Sequence, residues 1–362
     1  MMIKKIGVLT GGGDCPGLNA VLRAVVKTAV CRYGWEVIGF KDGYRGLVMN
    51  DYVKFKSGDV SGILDKGGTI LGSSNKDNPF SFRIEKDGKV EYKDMSERVI
   101  DNVNMHEIDC MVLIGGDGTL TSARDFARKG MKVIGVPKTI DNDLSATDTT
   151  FGFMTAVDTA TEAIDKLHST AESHHRVMIL EVMGRYAGWI ALESGIAGGA
   201  DVILIPEIPY DINNITNKLK EREHAGKSFS IVVVAEGAKP KDGDVVVSKV
   251  VENSPDPIRL GGIGNKLADD LEKLTGHETR VTILGHLQRG GRPVPFDRIL
   301  STRYGVAAVE MLNEGKFGMM VGLQGNSINA VSLEDAVGKL KTVDPNGELI
   351  RIAKSVGVGF GD

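Results

Sequence analysis

The stretch "CMVLIGGDGTLTSA" (Cys110–Ala123) decides how the chain reads. Its first half is a short apolar run, its second half is polar, and Gly115, Gly116 and Gly118 lie between them. A buried strand, a glycine turn and the start of a helix near Thr119, in that order, form the repeating unit of a parallel α/β sheet. Working outward, the unit recurs. "IGVLT" (Ile6–Thr10) precedes Leu18, Val21, Leu22, Val25, Val26 and Ala29, which recur at three and four as on one helix face. "KVIGVP" (132–137), "RVMILEVMG" (176–184, before a helix from about Tyr186), "DVILIPE" (201–207) and "FSIVVVAEG" (229–237) are further buried strands. Strands this apolar, separated by helices, imply parallel sheets covered on both faces. The polar stretch 237–262 reads as a surface excursion with a hairpin at Lys241–Asp244.

At 362 residues the chain is longer than one core usually serves, so two α/β lobes are expected, with function at the carboxyl ends of strands. Apolar residues make up 41% and charged residues 25%, which excludes disorder as the dominant state. The net charge of −4 excludes a general basic field for nucleic acid, so an anionic ligand has to be gripped locally. Cys15, Cys31 and Cys110 form no CxxC pair and suit reduced thiols. No run reaches the length that spans a bilayer, and the N-terminal strand is too short for a signal-peptide core; a cytoplasmic protein is expected.

Three glycine-rich turns follow strands: "TGGGDCPGLN" (Thr10–Asn19), "KGGTILGSSN" (Lys66–Asn75) and "IGGDGTLTSA" (Ile114–Ala123). Glycine lets backbone N–H groups approach a phosphate, and a helix N-terminus adds partial positive charge. None is a Walker A loop, and Pro16 spoils GxGxxG in the first, so each taken alone also reads as a tight strand-to-helix connection. Asp117, between Gly116 and Gly118, suits either a hard oxygen ligand for a phosphate-bound Mg²⁺ or a helix N-cap.

Downstream lies "VIGVPKTIDNDLSATD" (133–148). In an extended loop Asp141 and Asp143 point to the same side, where one can take a proton from an alcohol while Lys138 neutralises phosphoryl charge; an Asx-turn is the competing reading. Arg176, Arg185, Arg280 and Arg289, at the ends of separate strands, suit capture of a phosphate-bearing substrate, although each alone also suits a surface ion pair. The histidines show no metal-site spacing; His286 reads as a substrate ligand or a capping residue.

The set "GGDGT", "PKTIDND", "EVMGRYAGW" and "GHLQRGGRPVPFDR", in this order, resembles the 6-phosphofructokinase family from residue 3 to about 340. "GGDGT" alone is shared with lipid and NAD kinases; "TIDND" followed by "MGR" is far more specific. The resemblance implies two Rossmann-like lobes with mainly parallel sheets and an active site in the cleft between them. Residues 1–152 plus about 288–338 would form the donor-phosphate lobe, and 153–287 plus about 339–362 the sugar-phosphate lobe. It implies Asp141 as the base on the 1-hydroxyl of fructose 6-phosphate, Lys138 as a charge partner and Asp117 as the Mg²⁺ ligand. Gly12, Asn75, Lys76, Gly116, Gly118 and Thr119 would bind the donor. Thr139, Ile140, Met183, Gly184, Arg185, Glu236, His286, Leu287, Gln288 and Arg289 would bind the sugar phosphate, with Arg176 and Arg280 delivered from a neighbouring subunit of a homodimer or homotetramer.

Two departures from the family pattern stand out, one near the donor and one at the allosteric site. Asn75 and Lys76 stand where bacterial ATP enzymes carry an arginine, so Lys76 or Lys138 has to replace it. Arg23 and Lys27 fit the allosteric nucleotide site, but His168 and "AGKSF" replace more basic groups there. Gly118 leaves room for the α-phosphate of ATP, whereas Lys138 is the residue of the pyrophosphate enzymes; the glycine carries more weight, because the lysine can assist either donor. Mg-ATP is therefore the expected donor, with pyrophosphate as the alternative. A lipid or NAD kinase, or a non-catalytic nucleotide sensor, is the competing class.

Overall fold

The computed structural model describes residues 3–86, 88–250 and 258–362. The chain divides into two compact units, Met1–Ile140 with Leu144–Met154 and Arg289–Lys339, and Asp141–Asp143 with Thr155–Gln288 and Leu340–Asp362.

The first unit is built on a seven-stranded sheet in the order Ser327–Ser332, Met319–Gln324, Val133–Pro137, Cys110–Gly115, Lys5–Thr10, Glu36–Phe40, Tyr52–Phe55. The five inner strands are parallel and the two edge strands antiparallel to their neighbours. Cys110–Gly115 and Val133–Pro137 are buried along their whole length, as expected of strands covered on both faces. From Lys5–Thr10 the chain first goes to one side, to Glu36–Phe40, and later to the other, to Cys110–Gly115. The sheet therefore has its topological switch point at the carboxyl ends of Lys5–Thr10 and Cys110–Gly115, the crevice where open α/β sheets take ligands.

The second unit holds a four-stranded parallel sheet in the order Thr279–Ile283, Val177–Val182, Ser230–Ala235, Val202–Leu204. Its core joins Ile179, Leu204, Val232 and Val234 to Ile215, Leu219, Ile263, Leu267 and Leu271 of the covering helices. The α/β class with mainly parallel sheets is thus observed.

Three local expectations change. The helix after the third glycine turn begins at Asp117, with Gly116 in the capping position, because Gly116 is extended (φ −83°, ψ −169°). The helix expected from Tyr186 begins at Trp189. The expected hairpin at Lys241–Asp244 is a turn in which Gly243 N–H donates to Pro240 O (3.4 Å); the antiparallel pair of that excursion is Val247–Val250 with Ile258–Leu260, and residues 251–257 lie outside the described residues.

Helix Leu18–Lys27 buries the apolar face read from its spacing, and part of it meets helix Pro295–Asn313 at Gly305. A methyl group on Gly305 would stand 2.6 Å from Ala24 Cβ and 2.8 Å from Val21 O. Gly305→Val should lower stability by about 1–3 kcal/mol through overpacking. A urea titration that leaves the midpoint unmoved would refute this helix contact.

Candidate active site

The three glycine-rich stretches converge in the first unit. Gly11 N–H donates to Ile114 O (2.8 Å), joining the first stretch to the third, and Gly12 N–H donates to Ser74 O (3.0 Å), joining it to the second. The buried Asn19 completes the tie: its Nδ2 donates to Lys66 O (3.1 Å) and Gly67 O (3.2 Å), and its Oδ1 accepts from Ile70 N–H (2.8 Å). Asn19 lies inside a quoted motif, but its role depends on a segment about fifty positions away and has no local signature.

Gly11 and Gly115 are glycine because of Thr119. A Cβ on Gly11 would stand 2.6 Å from Thr119 Oγ1, and one on Gly115 2.3 Å from Thr119 Cβ. Their bareness lets the first turn of helix Asp117–Arg128 close onto the switch point, where its N–H groups and dipole favour an anion. A Cβ on Gly118 would meet nothing within 4 Å.

Asp117 is the first residue of this helix, and its Oδ1 accepts the backbone N–H of Gly338 (3.1 Å). One carboxylate oxygen is thereby oriented and the other remains a hard ligand, which fits a Mg²⁺ bound through one carboxylate and donor phosphates. Among the described residues no group of three or more His, Cys, Asp or Glu forms a metal cluster.

Lys138 follows strand Val133–Pro137, and its N–H donates to Gly115 O (2.9 Å). The side chain is 3% exposed and its Nζ donates to Gly13 O. Its ammonium thus lies against the first glycine loop. Lys76 and Asn75 are exposed, in a turn where Lys76 N–H donates to Ser74 Oγ (3.3 Å). Arg289 also belongs to the first unit: Nη1 donates to Asp14 O (3.3 Å), and a Cβ on Gly13 would stand 2.7 Å from it.

Thr139 and Ile140 end the first unit's segment, and Asp141 begins the second unit's. Thr139 O accepts from Thr150 Oγ1 (2.8 Å), and Ile140 is buried. The extended loop expected at 141–143 is not observed: Asn142 is left-handed (φ 51°), so alternation no longer places Asp141 and Asp143 on one side.

In the second unit the remaining residues divide between the two ends of the sheet. Met183, Gly184 and Arg185 follow Val177–Val182, Glu236 follows Ser230–Ala235, and His286, Leu287 and Gln288 follow Thr279–Ile283. They share the carboxyl ends of three parallel strands. Gln288 is fully buried; its Oε1 accepts Met183 N–H (3.3 Å) and its Nε2 donates to Gly285 O (3.1 Å). Gly237 N–H donates to Gly184 O (3.1 Å), and a Cβ there would collide with Arg185 O at 2.0 Å, so the turn carrying Arg185 packs directly on the one carrying Glu236. His286 and Leu287 are exposed.

Arg176 and Arg280 lie at the opposite, amino-terminal end of the sheet. Both pair with Glu278, Arg176 through a two-pronged contact (2.7 and 3.0 Å), and these arginines hold the Glu278 carboxyl below its usual range.

The phosphofructokinase family model matches residues 5–312. The chain belongs to the phosphofructokinase family. It is 67% identical over 362 residues to "ATP-dependent 6-phosphofructokinase 2" of Clostridium perfringens, covering 99% of each chain. It is 51% identical over 358 residues to the "Pyrophosphate--fructose 6-phosphate 1-phosphotransferase" of Streptomyces coelicolor, covering 99% of this chain and all of that one. Phosphofructokinase from Saccharomyces cerevisiae superposes with a TM-score of 0.78 at 32% identity, covering 98% of this chain and 46% of the longer yeast chain. Among the described residues no helix is long and apolar enough to cross a membrane.

Two cysteines of this phosphofructokinase are chemically quiet. Burial pushes the Cys15 thiol up to about 12 against the opposing pull of Lys138, and burial, with Asp109, does the same for Cys110. Both stay protonated at pH 8 while Cys31 is exposed. A thiol-reactive chromophore should therefore titrate one group rapidly in the native enzyme and three in denaturant. Rapid labelling that persists in Cys31→Ser would contradict this burial.

Proposed function

We infer that this chain is a 6-phosphofructokinase that transfers the terminal phosphoryl group of Mg-ATP to the 1-hydroxyl of fructose 6-phosphate. One observation carries the reading: a helix N-terminus, the Asp117 carboxylate, the Lys138 ammonium and the glycine loops meet at the switch point of the first unit's sheet. Phosphoryl transfer needs mainly positioning and neutralisation of charge, and these groups supply both.

The first unit binds the donor, and most of the sugar-phosphate residues belong to the second. Asp117 would hold a Mg²⁺ together with the donor phosphates, and the ion would supply neutralisation of charge on the transferring group. Gly12, Gly116, Gly118 and Thr119 line the phosphates. Lys138 rather than Lys76 replaces the missing arginine, since its ammonium already lies on the glycine loop while Lys76 is exposed. Asp141 takes the proton of the 1-hydroxyl. Met183, Gly184, Arg185, Glu236, His286 and Gln288, gathered at three strand ends, recognise fructose 6-phosphate together with Thr139, Ile140, Leu287 and Arg289. A lipid or NAD kinase has no use for that cluster. Arg176 and Arg280, at the other end of the sheet, serve the site of a neighbouring subunit in a homodimer or homotetramer.

The open space at Gly118 supports ATP, because a nucleotide brings an α-phosphate that a carboxylate there would repel. The name of the 67% identical relative points the same way, while that of the 51% identical one keeps pyrophosphate as the second reading.

Fructose 1,6-bisphosphate formation, followed with ATP, ADP or pyrophosphate as the sole donor, should be supported by ATP; activity with pyrophosphate alone would overturn the donor assignment. Asp141→Asn should bind both substrates and turn over at least about a hundredfold more slowly, as expected for loss of a general base. Unchanged turnover would sink the assigned role.

A further inference from the structure

The segment after the first unit's last residue runs back to the loop that carries Asp141. Lys341, which lies beyond the stretch matched by the family model, makes three kinds of contact there. Its backbone N–H donates to Asp143 O (2.9 Å) and its Nζ to Asn142 Oδ1 (3.0 Å). Its carbonyl accepts the indole N–H of Trp189 (2.8 Å), and its Nζ lies 5.5 Å from the centre of the Trp189 ring. Two residues on, Val343 N–H donates to Glu207 Oε1 (2.8 Å), and the same carboxylate accepts Gly188 N–H (3.0 Å). All of these groups belong to the second unit.

We propose that Lys341 is a positioning residue for the reaction, acting through Asn142 and Asp143 to fix the direction in which Asp141 presents its carboxylate. The proposal rests on the reading of Asp141 as the base. Asn142 is buried and left-handed, a conformation that costs a non-glycine residue free energy and persists where its surroundings over-determine it. Lys341 supplies two of those restraints, one on the Asn142 side chain and one on the Asp143 carbonyl. Its other contacts tie it to Trp189, the first residue of the helix that follows Arg185. The loop bearing the base and the turn bearing the sugar-phosphate arginine are thereby referenced to one strap. Misplacement of a reacting group by about 1 Å costs on the order of a hundredfold in rate, so loosening this strap should act on turnover more than on binding.

The test uses the full-length enzyme. Lys341→Met should lower kcat about ten- to a hundredfold while KM for fructose 6-phosphate and for ATP stays within about twofold. In a Trp35→Phe background the emission of Trp189 should change with the same substitution, since the cation near its ring is removed. Lys341→Arg, which keeps the charge and a donor, should recover most of kcat. Asn142→Gly keeps the left-handed turn and deletes the acceptor, so it should lower kcat similarly and combine non-additively with Lys341→Met. It also carries the test should Lys341→Met not fold. Wild-type kcat in these variants, equal loss in Lys341→Arg, or additive effects in the pair would each overturn the proposal. Asp141→Asn assayed alongside separates the two readings: near wild-type turnover there sinks the base itself, whereas an inactive Asp141→Asn beside a fully active Lys341→Met sinks only the role of Lys341.

Discussion

The first unit depends on the missing side chains at Gly11 and Gly115. Thr119 occupies the space their Cβ atoms would need, and this lets the carboxyl ends of two adjacent parallel strands and the start of one helix come within hydrogen-bonding reach of each other. Everything that bears on a phosphate follows from that contact. It aims the helix N-terminus, it places Gly116 as an extended lead into Asp117, and it brings Lys138, the residue after the next strand, to the same edge. A helix N-terminus and a lysine ammonium at one switch point are groups that an anionic donor can engage.

The second unit is built differently. Four parallel strands present two unlike ends. At the carboxyl end, Arg185, Glu236 and Gln288 are locked by close backbone packing and by a buried amide that ties Met183 to the turn at Gly285. At the amino end, Arg176 and Arg280 share the single carboxylate of Glu278. A strand of six residues is about 17 Å long, so one set of residues cannot serve the same phosphate as the other within one chain. This separation supports a neighbouring subunit as the recipient of the two arginines.

Backbone accounting links the units' loops to their distant partners. Asn19 satisfies three polar groups of the second glycine stretch, Gly338 orients Asp117, and Lys341 restrains the loop at Asn142. In each case a loop is held by a group from a remote segment, where a local turn would have left it free to fray.

The α/β class, the strands, the glycine turns and the family motifs were legible in the order of residues, because apolar runs with period and glycine-rich breaks express local physics that needs no partner. Asp117, Asp141 and Arg185 stood out as candidates for the same reason, as members of short motifs. The start of the helix at Asp117 was not legible, since a glycine such as Gly116 is locally free to be extended or helical. Nor was the left-handed Asn142, which defeats the period-two alternation used to place Asp141 beside Asp143. Only the tertiary structure decided that Lys138 lies on the first glycine loop while Lys76 is exposed, that Arg289 leans on Asp14, and that Lys341 holds the loop of Asp141. These are contacts between segments tens to hundreds of residues apart, and their geometry is set by how sheets and covering helices pack, a quantity that no local pattern of residues contains.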